Sequence, residues 1–112
     1  MTTLAQLQDR LQLASSEFQK LQADLSNIVE ARQRLDAQLQ ENKLVKQEFE
    51  KLTPNNTVYK LIGPVLVQQD QEEAKGNVNT RLDFIQSEIK RVEGQISEVN
   101  EKLEKKKMEV CP

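Results

Sequence analysis

The sequence predicts a mainly α-helical fold, an antiparallel two-helix coiled coil with a single β-hairpin at the connection between the helices. Two long segments carry apolar residues at the a and d positions of a heptad. A short stretch rich in β-branched residues lies between them, around Gly63-Pro64. Charged residues make up 30% of the 112 residues, and only three Gly and three Pro are present, which is typical of long helices. We expect one domain, residues 1–112.

The first helix is predicted over residues 4–52. With Leu4 at position a, eleven of the fourteen a and d positions are apolar. Thr53-Pro54 ends the helix, because Pro cannot continue it and disfavours helix in the preceding residue. Asn42 is a polar residue at a d position, and two explanations stay open. It either fixes the register of the helix pair or marks a locally frayed turn.

The β-hairpin is predicted over residues 57–69, with Gly63-Pro64 as a type II′ turn. A lone two-stranded hairpin is marginal in water, and this one has apolar side chains on both faces and two open edges. We therefore expect the hairpins of several subunits to pair edge to edge and form a β-barrel base. The residues that we assign to this assembly are Val58, Tyr59, Leu61, Ile62, Val65, Leu66 and Val67.

The second helix is predicted over residues 70–110, with Asp70 as its N-cap and Asn77 as a competing start. In antiparallel pairing the second helix ends before it reaches the first three leucines of the chain, so these have no facing residue. Lys106 occupies a d position near the end of the second helix. An unpaired apolar stripe at the end of a helix pair is suited to binding other proteins. The alternative is a coiled-coil core that frays at its end. The candidate client-binding residues are Leu4, Leu7, Leu11, Leu103, Met108 and Val110.

Composition argues against most catalytic functions. The chain has no His and a single Cys, Cys111, so a His-based catalytic site, a Cys-cluster zinc site and an intrachain disulfide are excluded. The net charge of −2 lacks the basic excess of a nucleic-acid-binding surface. No uncharged run is long enough to span a bilayer. We expect no enzymatic activity, no cofactor, no metal, and neither nucleic acid nor membrane as a partner.

The hairpin segment, residues 58–67 (VYKLIGPVLV), resembles the signature of β-type prefoldin subunits. The flanking residues 39–43 (LQENK), 81–85 (RLDFI) and 88–91 (EIKR) resemble the subunit 6 type of that family. The resemblance implies a cytoplasmic, ATP-independent co-chaperone built with two α-type and three further β-type subunits. It also implies that coiled-coil tips hold non-native actin and tubulin and deliver them to the cytosolic chaperonin.

Two other functions remain open at this stage. One is a structural coiled-coil scaffold or tether that binds one folded partner, although it leaves the hairpin without a purpose. The other is a curved membrane-associated helical dimer, which the near-neutral charge balance disfavours.

Overall fold

The computed structural model describes residues 1–111 and confirms the predicted fold class, two long helices with one antiparallel hairpin between them. In chain order the elements are α1 (Leu4–Glu50), β1 (Val58–Ile62), β2 (Val65–Gln69) and α2 (Gln71–Val110). Within the described residues, no helix is both long enough and apolar enough to cross a membrane.

Helix α1 ends at Glu50, two residues before the predicted end at residue 52. The backbone N–H groups of Lys51 and Leu52 donate to carbonyls three residues earlier, those of Glu48 and Phe49, both over 3.2 Å. This tighter spacing is that of a 3₁₀ turn, which commonly closes a helix C-terminus. The helix tightens here because Pro54 pushes the residue before it out of the helical region.

Both helices begin at side-chain caps. The backbone N–H of Gln6 donates to Thr3 Oγ1 (3.1 Å), and Gln6 Oε1 accepts from the backbone N–H of Thr3 (2.9 Å), which is a reciprocal capping box. At α2, Asp70 Oδ2 accepts from the backbone N–H of Glu73 (3.0 Å), so Asp70 is the N-cap as predicted. The competing start, Asn77, lies inside the helix.

The hairpin has the predicted two-residue turn. Ile62 pairs with Val65 at its end, and Gly63 has a φ of 58°. Gly63 alone has a positive φ among the described residues, so Pro64 keeps a negative φ and the sign pattern is that of a type II′ turn. Such turns match the right-handed twist of the paired strands, which explains the regular five-residue ladder.

The segment between α1 and the hairpin is held in place by amide side chains. The backbone N–H of Asn56 donates to the carbonyl of Thr53 (3.0 Å), and Asn56 Oδ1 accepts from the backbone N–H of Thr53 (2.7 Å). Gln71 Nε2, in the first turn of α2, donates to the Thr53 and Asn56 carbonyls over 2.8 and 3.1 Å. These bonds tie the loop to the start of α2.

The chain divides into two compact units, each containing parts of both helices. The hairpin unit is Arg34–Ile89. Its core is an α2 seam with exposed fractions of 3–8%, made of Ala74, Val78, Leu82, Ile85 and Ile89. The last four occupy predicted a and d positions, and half-buried Leu35, Leu39 and Phe49 lie on the α1 side. The heptad therefore places the core of this unit correctly.

The terminal unit is Met1–Gln33 together with Lys90–Pro112. Ala14 and Val92 are its buried apolar side chains, and the other seam residues are half-buried except Leu4, Leu7 and Leu11, which are exposed. Across the two helical segments, Arg32 Nη2 and Glu93 Oε1 form an ion pair at 3.0 Å. Since both groups are partly exposed, this pair contributes little to stability beyond fixing the antiparallel alignment.

Candidate functional site: an exposed hairpin and an apolar groove

The hairpin surface consists of the apolar side chains of β1 and β2. Opposed residues share a face of the sheet, so Leu61 and Leu66, at 67% and 63% exposure, form one apolar patch. Ile62 and Val65 form another on the opposite face, at 55% and 56%. Of the residues that we assigned to assembly, Val58 is half-buried and six are exposed: Tyr59, Leu61, Ile62, Val65, Leu66 and Val67.

The strand edges add unpaired backbone groups to this surface. A two-residue turn makes the closing pair, Ile62 and Val65, a hydrogen-bonded pair, and hydrogen-bonded and non-hydrogen-bonded pairs then alternate along the ladder. Tyr59, Leu61 and Leu66 belong to non-hydrogen-bonded pairs, so their N–H and C=O groups point outward. Within residues 1–111 the sheet has two strands, and both outer edges can accept another strand.

The predicted client-binding residues lie in the terminal unit and differ in exposure. Leu4, Leu7 and Leu11 are exposed, at 72%, 51% and 50%, in agreement with the expectation that they lack a partner within the chain. Met108 is exposed at 71%. The remaining two, Leu103 and Val110, are half-buried.

A groove of about 430 Å³ opens between the two helical segments of the terminal unit. We call it the tip groove, and its lining residues are Leu7, Arg10, Leu11, Leu13, Ala14, Glu17, Lys106 and Glu109. It brings together two of the predicted residues, Leu7 and Leu11. Leu13 is exposed at 61% but was missed by the sequence reasoning, because it does not occupy an a or d position of the heptad.

Lys106 has a defined position at the tip groove. Its ammonium group forms ion pairs with Glu17 on the facing helix and with Glu109 one turn later, the second at 3.2 Å. Hydrogen bonds to Glu17 and then to Glu109 raise the pKa of Lys106 above its ordinary value. The sequence signal for this arrangement was a Lys at a d position with a Glu three residues later.

Asn42 is the buried polar side chain of the hairpin unit, with 9% of its surface exposed. Its Nδ2 donates to the Gln38 carbonyl (2.7 Å), and its Oδ1 accepts a long hydrogen bond from Arg81 Nη1 (3.4 Å) on α2. Asn42 is therefore ordered within α1 and contacts the facing helix, which does not fit a frayed turn.

Two large apolar side chains on the helices of the hairpin unit are more than half exposed without having been predicted. Leu44 is 62% exposed and Phe84 is 64% exposed. Both lie outside the a and d positions, and the heptad gives no reason to expect a role for either.

The chemistry of these surfaces is that of binding. Among residues 1–111, no group of three or more His, Cys, Asp or Glu side chains is placed to hold a metal ion. The hairpin surface offers apolar side chains and open strand edges. The tip groove offers apolar walls bordered by charges.

Comparison with known proteins agrees with this arrangement. The family model described as "Prefoldin subunit" matches residues 12–110. The chain is 45% identical to prefoldin subunit 6 of Bos taurus over 101 residues, which cover 90% of this chain and 78% of that protein. It is 46% identical to prefoldin subunit 6 of Saccharomyces cerevisiae over 95 residues, covering 85% of this chain and 83% of the yeast protein.

The fold has a counterpart among solved structures. The crystal structure of the prefoldin beta subunit from Thermococcus strain KS-1 superposes with a TM-score of 0.83, over 89% of this chain and 88% of that one. At 23% identity, this likeness concerns the fold alone. The family match over nearly the whole chain and the identities to two eukaryotic relatives lead to the same conclusion. The chain belongs to the prefoldin subunit family.

Proposed function

We propose that this chain is a β-type subunit of a heterohexameric prefoldin, an ATP-independent co-chaperone of the cytoplasm. In this role it binds non-native proteins, actin and tubulin among them, and delivers them to the cytosolic chaperonin. The observation that carries the proposal is the hairpin, with apolar residues exposed on both faces and two open edges. Family membership supports the same role.

Assembly is the first stage of the proposed mechanism. Each open edge pairs with a strand of a neighbouring subunit, and repeated pairing closes a β-barrel without free edges. The neighbours are two α-type and three further β-type subunits. Closure also buries the hairpin surface, which removes exposed apolar area from water.

Client binding is the second stage. The proposed contacts are the predicted client-binding residues of the terminal unit, of which Leu4, Leu7, Leu11 and Met108 are exposed. One tip offers a small apolar area and hence weak binding. Several tips that act on one client raise the effective affinity while each contact remains reversible. Apolar contacts lack directionality, so unrelated clients are accepted.

The assembly stage is tested by the mass of the chain in light scattering, alone and after co-expression with an α-type prefoldin subunit. We expect a defined hexamer only with the partner, and its loss in the double variant Leu61→Asp, Val65→Asp. Leu44→Asp is the matched control, because Leu44 is about as exposed as Leu61 but lies on a helix. A stable homodimer whose mass changes neither with the α-type subunit nor with the two substitutions contradicts the proposal and favours the coiled-coil scaffold.

The client stage is tested by suppression of aggregation when chemically denatured actin is diluted into the assembled complex. The triple variant Leu4→Ser, Leu7→Ser, Leu11→Ser is expected to require a higher complex concentration for the same suppression. Val29→Ser in the same helix is the control, since Val29 is exposed at 36% and lies outside the tip groove. Equal suppression by both variants argues against client binding through these leucines.

A further inference from the structure

Lys60 is the single charged side chain of residues 58–69, and it lies at the centre of strand β1. It is exposed, and its neighbours on the same face of the sheet are apolar: Val58 and Ile62 along the strand and Val67 across the ladder. Its ammonium group forms no ion pair within residues 1–111. In the isolated chain this charge therefore has no counter-charge.

The hydrogen bonding of the hairpin determines how Lys60 meets a further strand. Lys60 and Val67 form a hydrogen-bonded pair, two positions from the closing pair, so the backbone groups of Lys60 point towards β2. Tyr59 and Leu61 point theirs outward, to the outer edge of β1, which we call the β1 edge. In an antiparallel strand added there, the residue opposite Lys60 belongs to a non-hydrogen-bonded pair, in which side chains approach most closely.

The β1 edge is poorly suited to the β1 edge of a second copy of this chain. Antiparallel pairing of all five residues places Tyr59 opposite Leu61 and Lys60 opposite Lys60. Like charges directly opposite each other destabilise a strand pair. A shift of register by two residues separates the charges but leaves three of the five residues of each strand paired. Lys on an edge strand is also a known protection against unwanted pairing.

Pairing of the β1 edge with strand β2 of a second copy leaves the charge without a partner. The full register then places Lys60 opposite Val67, as in the hairpin itself. Lys60 then has an apolar residue on both sides. Neither arrangement of two identical chains supplies a carboxylate to Lys60, because β2 contains no charged residue.

We propose that the β1 edge binds a strand of a different subunit, one that carries Asp or Glu directly opposite Lys60. Directly opposed residues share a face of the sheet, so the carboxylate and the ammonium group form an ion pair there. This inference rests on the proposed function and specifies the partner within it. Lys60 selects the neighbour at the β1 edge, whereas the uncharged β2 edge lacks this selection.

Selection comes from the difference between possible neighbours at one position. Backbone hydrogen bonds are the same for every added strand, so they give affinity, and the opposed side chains give specificity. A carboxylate opposite Lys60 is favoured over an apolar residue about two- to fivefold, and over Lys or Arg about tenfold. Salt screens this preference and leaves the backbone pairing in place.

Zero-length crosslinking of the co-expressed complex with a water-soluble carbodiimide tests the contact directly. This reagent joins an amine to a carboxylate that touches it, and peptide mass spectrometry locates the bond. We expect Lys60 to be joined to Asp or Glu in a strand of another subunit. Lys60→Arg keeps the charge without the reactive amine, so it should assemble normally and lose the crosslink. A complex without any such bond from Lys60 overturns the inference.

Charge reversal tests the effect of Lys60 on affinity. Lys60→Glu should raise the dissociation constant of the complex about tenfold, and Lys60→Gln about two- to fivefold, as measured by dilution and light scattering. Lys43→Glu is the matched control, because Lys43 is exposed in the same unit but lies on α1. Replacing the crosslinked carboxylate of the neighbour by Lys should restore the affinity of the Lys60→Glu chain.

The isolated chain tests the register without another subunit. Two β1 edges place like charges opposite each other in wild type and also in Lys60→Glu, whereas a mixture of the two places Lys opposite Glu. With one chain labelled at Cys111, sedimentation equilibrium should show mixed dimers about tenfold tighter than either homodimer. Equal association of mixed and unmixed chains contradicts the position assigned to Lys60 at the β1 edge.

Failure of the inference and failure of the proposed function are distinguishable. If wild type forms no complex with an α-type prefoldin subunit, the proposed function itself is wrong. If the complex forms, but Lys60→Glu assembles as tightly as Lys43→Glu, Lys60 does not select the neighbour and the hairpin assembly stands without it.

Discussion

Leu61→Ala tests whether the hairpin surface is a subunit interface. If it is, the substitution should lower the stability of the assembly much more than the stability of the isolated chain. Leu61 is 67% exposed, and its neighbour across the ladder is Leu66. Full burial of a leucine contributes roughly 1.5–3 kcal/mol. Two-thirds of that surface is still available to a partner, so its burial is worth about 1–2 kcal/mol of assembly free energy.

This magnitude predicts a measurable weakening of the complex. A loss of about 1–2 kcal/mol corresponds to a 5–30-fold rise in the dissociation constant. In the isolated chain the substitution removes only the cross-strand contact with Leu66, worth about 0.2–1 kcal/mol. Dilution of the co-expressed complex, followed by light scattering, measures the first quantity. Thermal unfolding of the isolated chain, followed by circular dichroism, measures the second.

Leu44→Ala is the matched control for this experiment, since Leu44 is 62% exposed on helix α1. The reasoning requires that Leu61→Ala weaken the complex and that Leu44→Ala leave it intact. Equal effects of the two variants refute it, as does a loss of stability in the isolated chain that accounts for all of the weakening.

Three further predictions concern the helices. Ile85→Ala, at a residue 3% exposed, should lower the free energy of unfolding by about 2–3 kcal/mol in chemical denaturation. Phe84→Ala, one residue earlier and 64% exposed, should change it by less than about 0.5 kcal/mol, and similar losses would contradict the α2 seam. Asp70→Ala removes the N-cap and should cost about 1 kcal/mol, while Asp70→Ser should restore most of it. Asn42→Leu should raise the thermal midpoint, because a polar residue at a d position specifies the register of the helix pair at a cost in stability. A lower midpoint would show that the hydrogen bond from Arg81 to Asn42 stabilises the fold by more than this cost.

The fold was predictable because its main determinants are periodic or local. The heptad from Val78 identified four of the five α2 residues that form the core of the hairpin unit. The turn was predictable from Gly63-Pro64, since Gly accepts the positive φ that a type II′ turn requires. The capping box of Thr3 and Gln6 was missed, although its spacing was visible in the sequence.

The candidate site was less predictable, because a stripe identifies the apolar face of a helix and not the space in front of it. Leu103 is on the stripe and is half-buried, whereas Leu13 is off the stripe and lines the tip groove. Whether a groove forms depends on the volumes of the facing side chains and on which carboxylates form ion pairs with Lys106. Those quantities follow from the packing of two segments far apart in the sequence.

The two candidate surfaces differ in charge, and this difference indicates how each is used. Residues 58–69 contain a single charged side chain, Lys60 of β1, so β2 carries no charge, and an uncharged edge strand pairs readily with another strand. Such a surface is compatible with function only if assembly covers it permanently, as in obligate interfaces, which are the more apolar class. The tip groove instead has Arg10, Glu17, Lys106 and Glu109 around its leucines. Charges at the border keep an apolar site hydrated when it is empty and limit its affinity when it is filled, which suits repeated capture and release. We therefore expect high salt to leave the hairpin assembly intact, because salt screens charge interactions and does not weaken the burial of apolar side chains.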